Sequence, residues 1–156
     1  MRRFALVCTI VVLAGCAKPE TKPAADTTAA VAPVPPPPPA PISLSDVAGK
    51  WNMKTMAESS DTVLVEFTMT ATADTTGWVL HLPKRKPVPA HVMASGDSIM
   101  VDAGPYESVL RKGQQVTTHG VYHMTGGKLM GITVAHYKTT KADSVVRLRS
   151  EGTRAP

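Results

Sequence analysis

The side chains of this 156-residue chain that could do chemistry are five histidines, one basic run, a set of methionines and a cysteine near the start. His81, His91, His119, His123 and His136 invite a metal reading. His119 and His123 come nearest to a ligand pair, because residues four apart on a strand share a face. At about 3.3 Å per residue they stand roughly 13 Å apart, too far to share one ion without partners from neighbouring strands. No cysteine at metal-ligand spacing accompanies them, so they read as separate surface side chains, and neither metal nor cofactor is expected. Lys84-Arg85-Lys86, bracketed by Pro83 and Pro87, could meet anionic headgroups or phosphate; it also fits a solvated hairpin loop. Met53, Met56, Met69, Met93, Met100, Met124 and Met130 could fill an irregular core or line an adaptable apolar pocket. The chain lacks Gly-x-Ser-x-Gly, His-Glu-x-x-His and a glycine-rich phosphate loop. No spacing nominates a catalytic set, and the expectation is a non-enzymatic protein.

The cysteine is Cys16, and what precedes it gives it meaning. Met1-Arg2-Arg3 is basic, and residues 4–15 are almost wholly apolar, with Thr9 the one clearly polar position. Those 12 residues are too few to cross a hydrocarbon core, which takes about 20. A basic start followed by a short apolar run is the pattern of a secretory signal peptide. Leu13-Ala14-Gly15-Cys16 resembles the bacterial lipobox, in which small residues precede an obligatory cysteine. The resemblance to bacterial lipoproteins covers about the first 20 residues. It implies removal of residues 1–15, a diacylglyceryl group on the Cys16 thiol and a palmitate-like acyl chain on the new amine. One chain binds a bilayer only marginally, whereas two or three anchor stably. Ala17, in place of an aspartate, resembles cargo delivered to the outer membrane, with the folded part in the periplasm.

Charge and cysteine usage agree with that address. Cys8 leaves with the signal and Cys16 carries lipid, so the folded region is expected to hold together without a disulfide. Removing Arg2 and Arg3 leaves 15 basic and 12 acidic residues, a net +3 against +5 for the whole chain. A balance so slight gives no footprint for nucleic acid. Residues 16–41 are Ala, Pro and Thr-rich, with Pro33, Pro35 to Pro39 and Pro41 gathered at the end. Such a stretch lacks the apolar mass to fold. Its proline block predicts a polyproline II spacer of roughly 30 Å, and the absence of basic flanks favours spacer over docking ligand.

These groups need a scaffold, and residues 42–156 supply it: 115 residues, enough for one domain with a core. Period-two alternation is clearest at Val63, Val65, Phe67, Met69 and Ala71, against Glu66, Thr68, Thr70 and Thr72 on the other face. A first strand is expected at 49–55. After a turn at Asp74-Thr75-Thr76-Gly77, Trp78, Leu80 and Leu82 alternate again. Further strands are expected at 90–94, 98–102, 109–111, 115–124, 129–138 and 144–149. Gly96-Asp97, Thr125-Gly126-Gly127-Lys128 and Lys141-Ala142-Asp143 mark turns between them. The fold class is therefore all-β: an antiparallel up-and-down meander of eight or nine strands, closed into a barrel that removes exposed edges. Gly120 and Gly131 fall inside strands and fit either bulges at barrel corners or simple tolerance.

Asp46-Val47-Ala48-Gly49-Lys50-Trp51, at the entry to the first strand, resembles the Gly-x-Trp opening of lipocalins and related calycin barrels. The resemblance implies that Trp51 closes one barrel end beneath a basic residue of the last strand, for which Arg147 and Arg149 are in place. Gly49, Trp51 and that arginine would form the structural motif. It also implies a binding module, holding a small apolar ligand or lipid inside a monomeric barrel. An eight-strand barrel can equally be filled by its own side chains, which leaves a structural or interaction lipoprotein as the alternative, and behind it an enzyme with an unrecognised site.

Overall fold

Successive side chains of a strand point to opposite faces, so apolar–polar alternation buries one face and wets the other. The computed structural model, which describes residues 40–139 and 142–156, turns that alternation into a closed barrel. The expected signal peptide, Cys16 and nearly all of the expected linker lie outside the described residues, as does Lys141 of the last expected turn.

The chain runs α1 (Leu44–Val47), β1 (Gly49–Ala57), β2 (Val63–Ala71), β3 (Trp78–His81), β4 (Val88–Ser95), β5 (Ser98–Glu107), β6 (Gln115–Thr125), β7 (Lys128–Tyr137) and β8 (Val145–Arg154). Each strand pairs antiparallel with the next, and β1 pairs with β8, so the expected meander closes with eight strands. The ninth expected strand, at 109–111, is a loop. There the hydroxyl oxygen of Ser108 accepts from the backbone N–H of Leu110 and of Arg111, at 3.1 and 3.0 Å, which turns the chain and takes those donors out of any ladder. β8 is longer than expected, running on through Ser150 and Gly152 to Arg154.

Topology gives the barrel two different ends. One carries α1, the turns after β2, β4 and β6, and the C-terminus of β8. Here Trp51, Met53, Met69, Trp78, Ile99 and Leu129 are almost fully buried, with Val47 of α1 above them. A capping box made by Ser43 and Asp46 fixes this one-turn helix over the barrel mouth. The other end carries the loops after β1, β3, β5 and β7, and its interior is less completely filled.

Gly120 and Gly131 interrupt no pairing: the β6–β7 register runs unbroken past both. The bulges lie instead between Thr55 and Met56 and between Ala103 and Tyr106. Both glycines serve Tyr122. A Cβ on Gly120 would lie 2.5 Å from the Tyr122 ring, and one on Gly131 would lie 2.0 Å from the carbonyl oxygen of Val121. They are the space into which that ring turns. Outside, the wall carries Lys54, Glu66, His91, Asp102, His119 and Arg147, rather than the continuous apolar band of a barrel that sits in lipid.

Candidate functional site

At the less filled end the inward side chains of β1–β3 and β5–β8 surround a cavity of about 70 Å³. Its walls are mostly apolar, with Val65 and Phe67 from β2, Leu80 and Leu82 at β3 and Leu148 from β8. The loop after β5 folds inward over it and brings Val109 and Leu110 to the rim. Arg111 fixes that loop: its guanidinium lies 4.1 Å from the centre of the Tyr137 ring and pairs with Asp143 at 3.0 Å.

The polar atoms in this cup are hydroxyls. Thr133 Oγ1 lies 2.9 Å from Ser150 Oγ and 3.0 Å from Tyr122 Oη, and Ser150 Oγ lies 3.4 Å from Thr55 Oγ1. This chain of four hydroxyls crosses β1, β8, β7 and β6 beneath the cavity. Burial pushes the Tyr122 hydroxyl above its ordinary value of 10.0, against the hydroxyls of Thr133 and Ser150, which pull it down. Burial likewise raises Tyr106, against its hydrogen bond with Thr118. Both tyrosines stay neutral at physiological pH and present O–H groups to the cup. Among the described residues its lining contains no carboxylate, imidazole, amine or thiol, and none of these stands beside the hydroxyls as a general base. The arrangement can hold an apolar group and orient a polar atom against it.

The expected motif residues lie at the closed end. The indole N–H of Trp51 donates to the Val47 carbonyl oxygen at 2.7 Å. The cation over its ring is Arg154, 4.7 Å from the centroid, in place of Arg147 or Arg149. Register is the reason: Trp51 stands opposite Arg154 on β8. Arg147 and Arg149 are farther up the outer wall, where they pair with Glu58 and Asp61. Arg154 also donates to the carbonyl oxygens of Ala48, at 2.8 Å, and Asp46, and so clasps α1 to the barrel. Gly49, at φ 131°, leaves room for it: a Cβ there would lie 3.1 Å from the guanidinium.

The remaining reactive side chains do not converge. His119 pairs with Asp102 at 2.6 Å, His123 lies 3.5 Å from Asp97, and His81 bonds the Thr70 hydroxyl at 3.1 Å. His91 and His136 are exposed. Within the basic run, Arg85 is structural: it pairs with Glu107 at 3.2 Å and donates to the carbonyl oxygens of Glu107 and Ser108. Lys84 and Lys86 point to solvent. Met53 and Met69 fill the closed end, and none of the seven methionines lines the cup.

Sequence reasoning did not single out Thr55, Tyr106, Tyr122, Thr133 or Ser150 as site residues. Their inward parity on the strands was the available signal; five strands had to be registered against one another before it meant anything. No known protein family, curated protein or solved structure matches this chain.

Proposed function

We propose that this chain is an envelope lipoprotein, held at the outer membrane by lipid on Cys16, whose periplasmic barrel binds the apolar end of a small ligand without catalysing a reaction. The observation that carries the reading is the cup: closed below by packed side chains, apolar in its walls, and lined by hydroxyls and no titratable base. The Gly49-Lys50-Trp51 opening and the arginine over Trp51 support a lipocalin-like relationship. Size narrows the ligand. Drug-sized sites run about 300 Å³ or more, and about 70 Å³ admits only a slim group such as the tip of an acyl chain. The same volume favours a second reading, a nearly solid barrel whose outer surface meets another protein.

Native mass spectrometry of the full-length protein, incubated with envelope lipid extract, separates the two. A bound small molecule is expected, and it should be lost in Ala135→Leu, which fills the cup. A wild-type protein that carries nothing removes the carrier reading. For the anchor, Cys16→Ser should abolish palmitate labelling, because serine offers no thiolate to acylate; a variant that labels like the wild type overturns it.

A further inference from the structure

The cup's mouth has a surface of its own. Among the described residues, five large hydrophobic side chains are exposed: Val63, Leu64, Met93, Leu110 and Val145. All but Met93 sit at the open end, on the first residues of β2 and β8 and on the loop after β5. Singly exposed apolar residues are ordinary, and it is the gathering of four at one end of the barrel that calls for a reason.

Charge is sorted to the same end. The four carboxylates there, Glu58, Asp61, Glu107 and Asp143, are each engaged by an arginine: Arg147, Arg149, Arg85 and Arg111. That leaves Lys84, Lys86, Lys112 and Lys138 exposed on three different loops without an acidic partner among the described residues. Among the described residues the open end thus carries eight cations against four anions, while the rest of the barrel carries four against six. A ring of unpaired lysines around exposed aliphatic side chains is complementary to a surface with phosphate outside and hydrocarbon beneath.

We infer that the open end of the barrel docks on an anionic phospholipid bilayer, the lysines at headgroup phosphates and Val63, Leu64, Leu110 and Val145 among the upper acyl carbons. Paired cations would be poor at this task, since each would have to abandon its carboxylate. The four lysines have none to abandon. Docking would set the cup's mouth against lipid, yet the inference stands on the rim alone and does not require the cup to hold a ligand.

The two native tryptophans supply an internal control, because Trp51 and Trp78 both lie buried at the closed end. Full-length protein bearing Leu110→Trp is mixed with phosphatidylcholine vesicles whose acyl chains carry bromine, with or without about one third phosphatidylglycerol. In the anionic vesicles the added tryptophan should lose at least half its emission, while the native pair keeps its own. Neutral vesicles should leave both unchanged. Each lysine near an anionic surface is worth about a fivefold change in partitioning. Lys84→Glu/Lys86→Glu/Lys112→Glu/Lys138→Glu should therefore abolish the quenching, with circular dichroism unaltered. Leu64→Trp, on the outer face of β2, gives a second reporter that leaves the cup untouched. Quenching of the closed-end pair as strong as that of the rim overturns the inference. So does quenching indifferent to lipid charge or to the four lysines, or its absence at both rim reporters.

Discussion

Arg154 makes a sharp claim about what seals the closed end, and its removal has a calculable cost. A cation over a tryptophan at an exposed site contributes about 0.5 to 1 kcal/mol. Hydrogen bonds from a charged donor contribute about 1.5 to 3 kcal/mol, with the low end appropriate for an exposed side chain. Arg154 makes the first with Trp51 and the second with the carbonyl oxygens of Ala48 and Asp46. Arg154→Met, which keeps the aliphatic stem, should cost about 2 to 3 kcal/mol. The surface pairs of Arg147 and Arg149 predict a different scale: their methionine variants should cost about 0 to 1 kcal/mol each. Trp51→Leu removes the ring and the 2.7 Å bond to Val47, at about 3 to 5 kcal/mol. In the double variant the cation–ring contribution is counted only once, so the two losses should fall short of additivity by about 0.5 to 1 kcal/mol. Urea unfolding of residues 42–156, followed by circular dichroism so that loss of tryptophan does not blind the probe, measures wild type, the four single variants and the double variant of each arginine with Trp51→Leu. The reasoning fails if Arg154→Met unfolds within about 0.5 kcal/mol of wild type. It fails equally if Arg147→Met or Arg149→Met couples to Trp51→Leu and Arg154→Met does not.

Other substitutions test the interior. Gly131→Ala should destabilise more than Gly120→Ala, because its new methyl meets backbone at Val121 while the other meets only the Tyr122 ring; about 3 kcal/mol or more against 1 to 3 is expected in the same urea assay. Tyr122→Phe should cost about 1 to 2 kcal/mol at neutral pH, since Thr133 loses one of its two hydroxyl partners. Above pH 10 that contribution declines: the unfolded chain ionises Tyr122 while the folded chain, with its raised value, does not. Wild-type stability should therefore fall from about pH 10 upward, by about 1.4 kcal/mol per pH unit for each such tyrosine, and Tyr122→Phe should remove one tyrosine's share of that slope. A slope unchanged in the variant would show that Tyr122 ionises alike in both states.

Much of the scaffold was legible because its signals are local. The alternation at Val63 to Ala71 and the turn at Gly126-Gly127 each fix an element within a few residues. Two local signals misled. Val109-Leu110-Arg111 reads as a strand until the hydroxyl of Ser108 takes the backbone donors that a ladder would need. The last strand, expected to end at Arg149, runs on, and Gly152 is buried because Met53 lies where its side chain would be. Missing those residues hid Arg154 and left Arg147 and Arg149 as the available partners for Trp51. The cup was out of reach for another reason. Thr55, Tyr122, Thr133 and Ser150 are unremarkable strand residues one at a time, and become a chain of hydroxyls only when four strands stand in register.

The pairing of β1 with β8 joins Trp51 to Arg154 across nearly the whole length of the folded chain. Every other strand contact is a hairpin between neighbours in sequence, whose ends meet after short loop closure, whereas this seam closes a loop of about 100 residues at higher entropic cost. Synthesis delivers the N-terminus first, so β1 waits with one edge unpaired until the last ten residues of the barrel arrive. An open strand edge is a template for pairing with other chains. The interval before β8 docks is therefore when this molecule is most exposed to association with its own copies. Loss of even the final few residues would prolong that interval indefinitely, removing both the seam's end and the arginine that latches it.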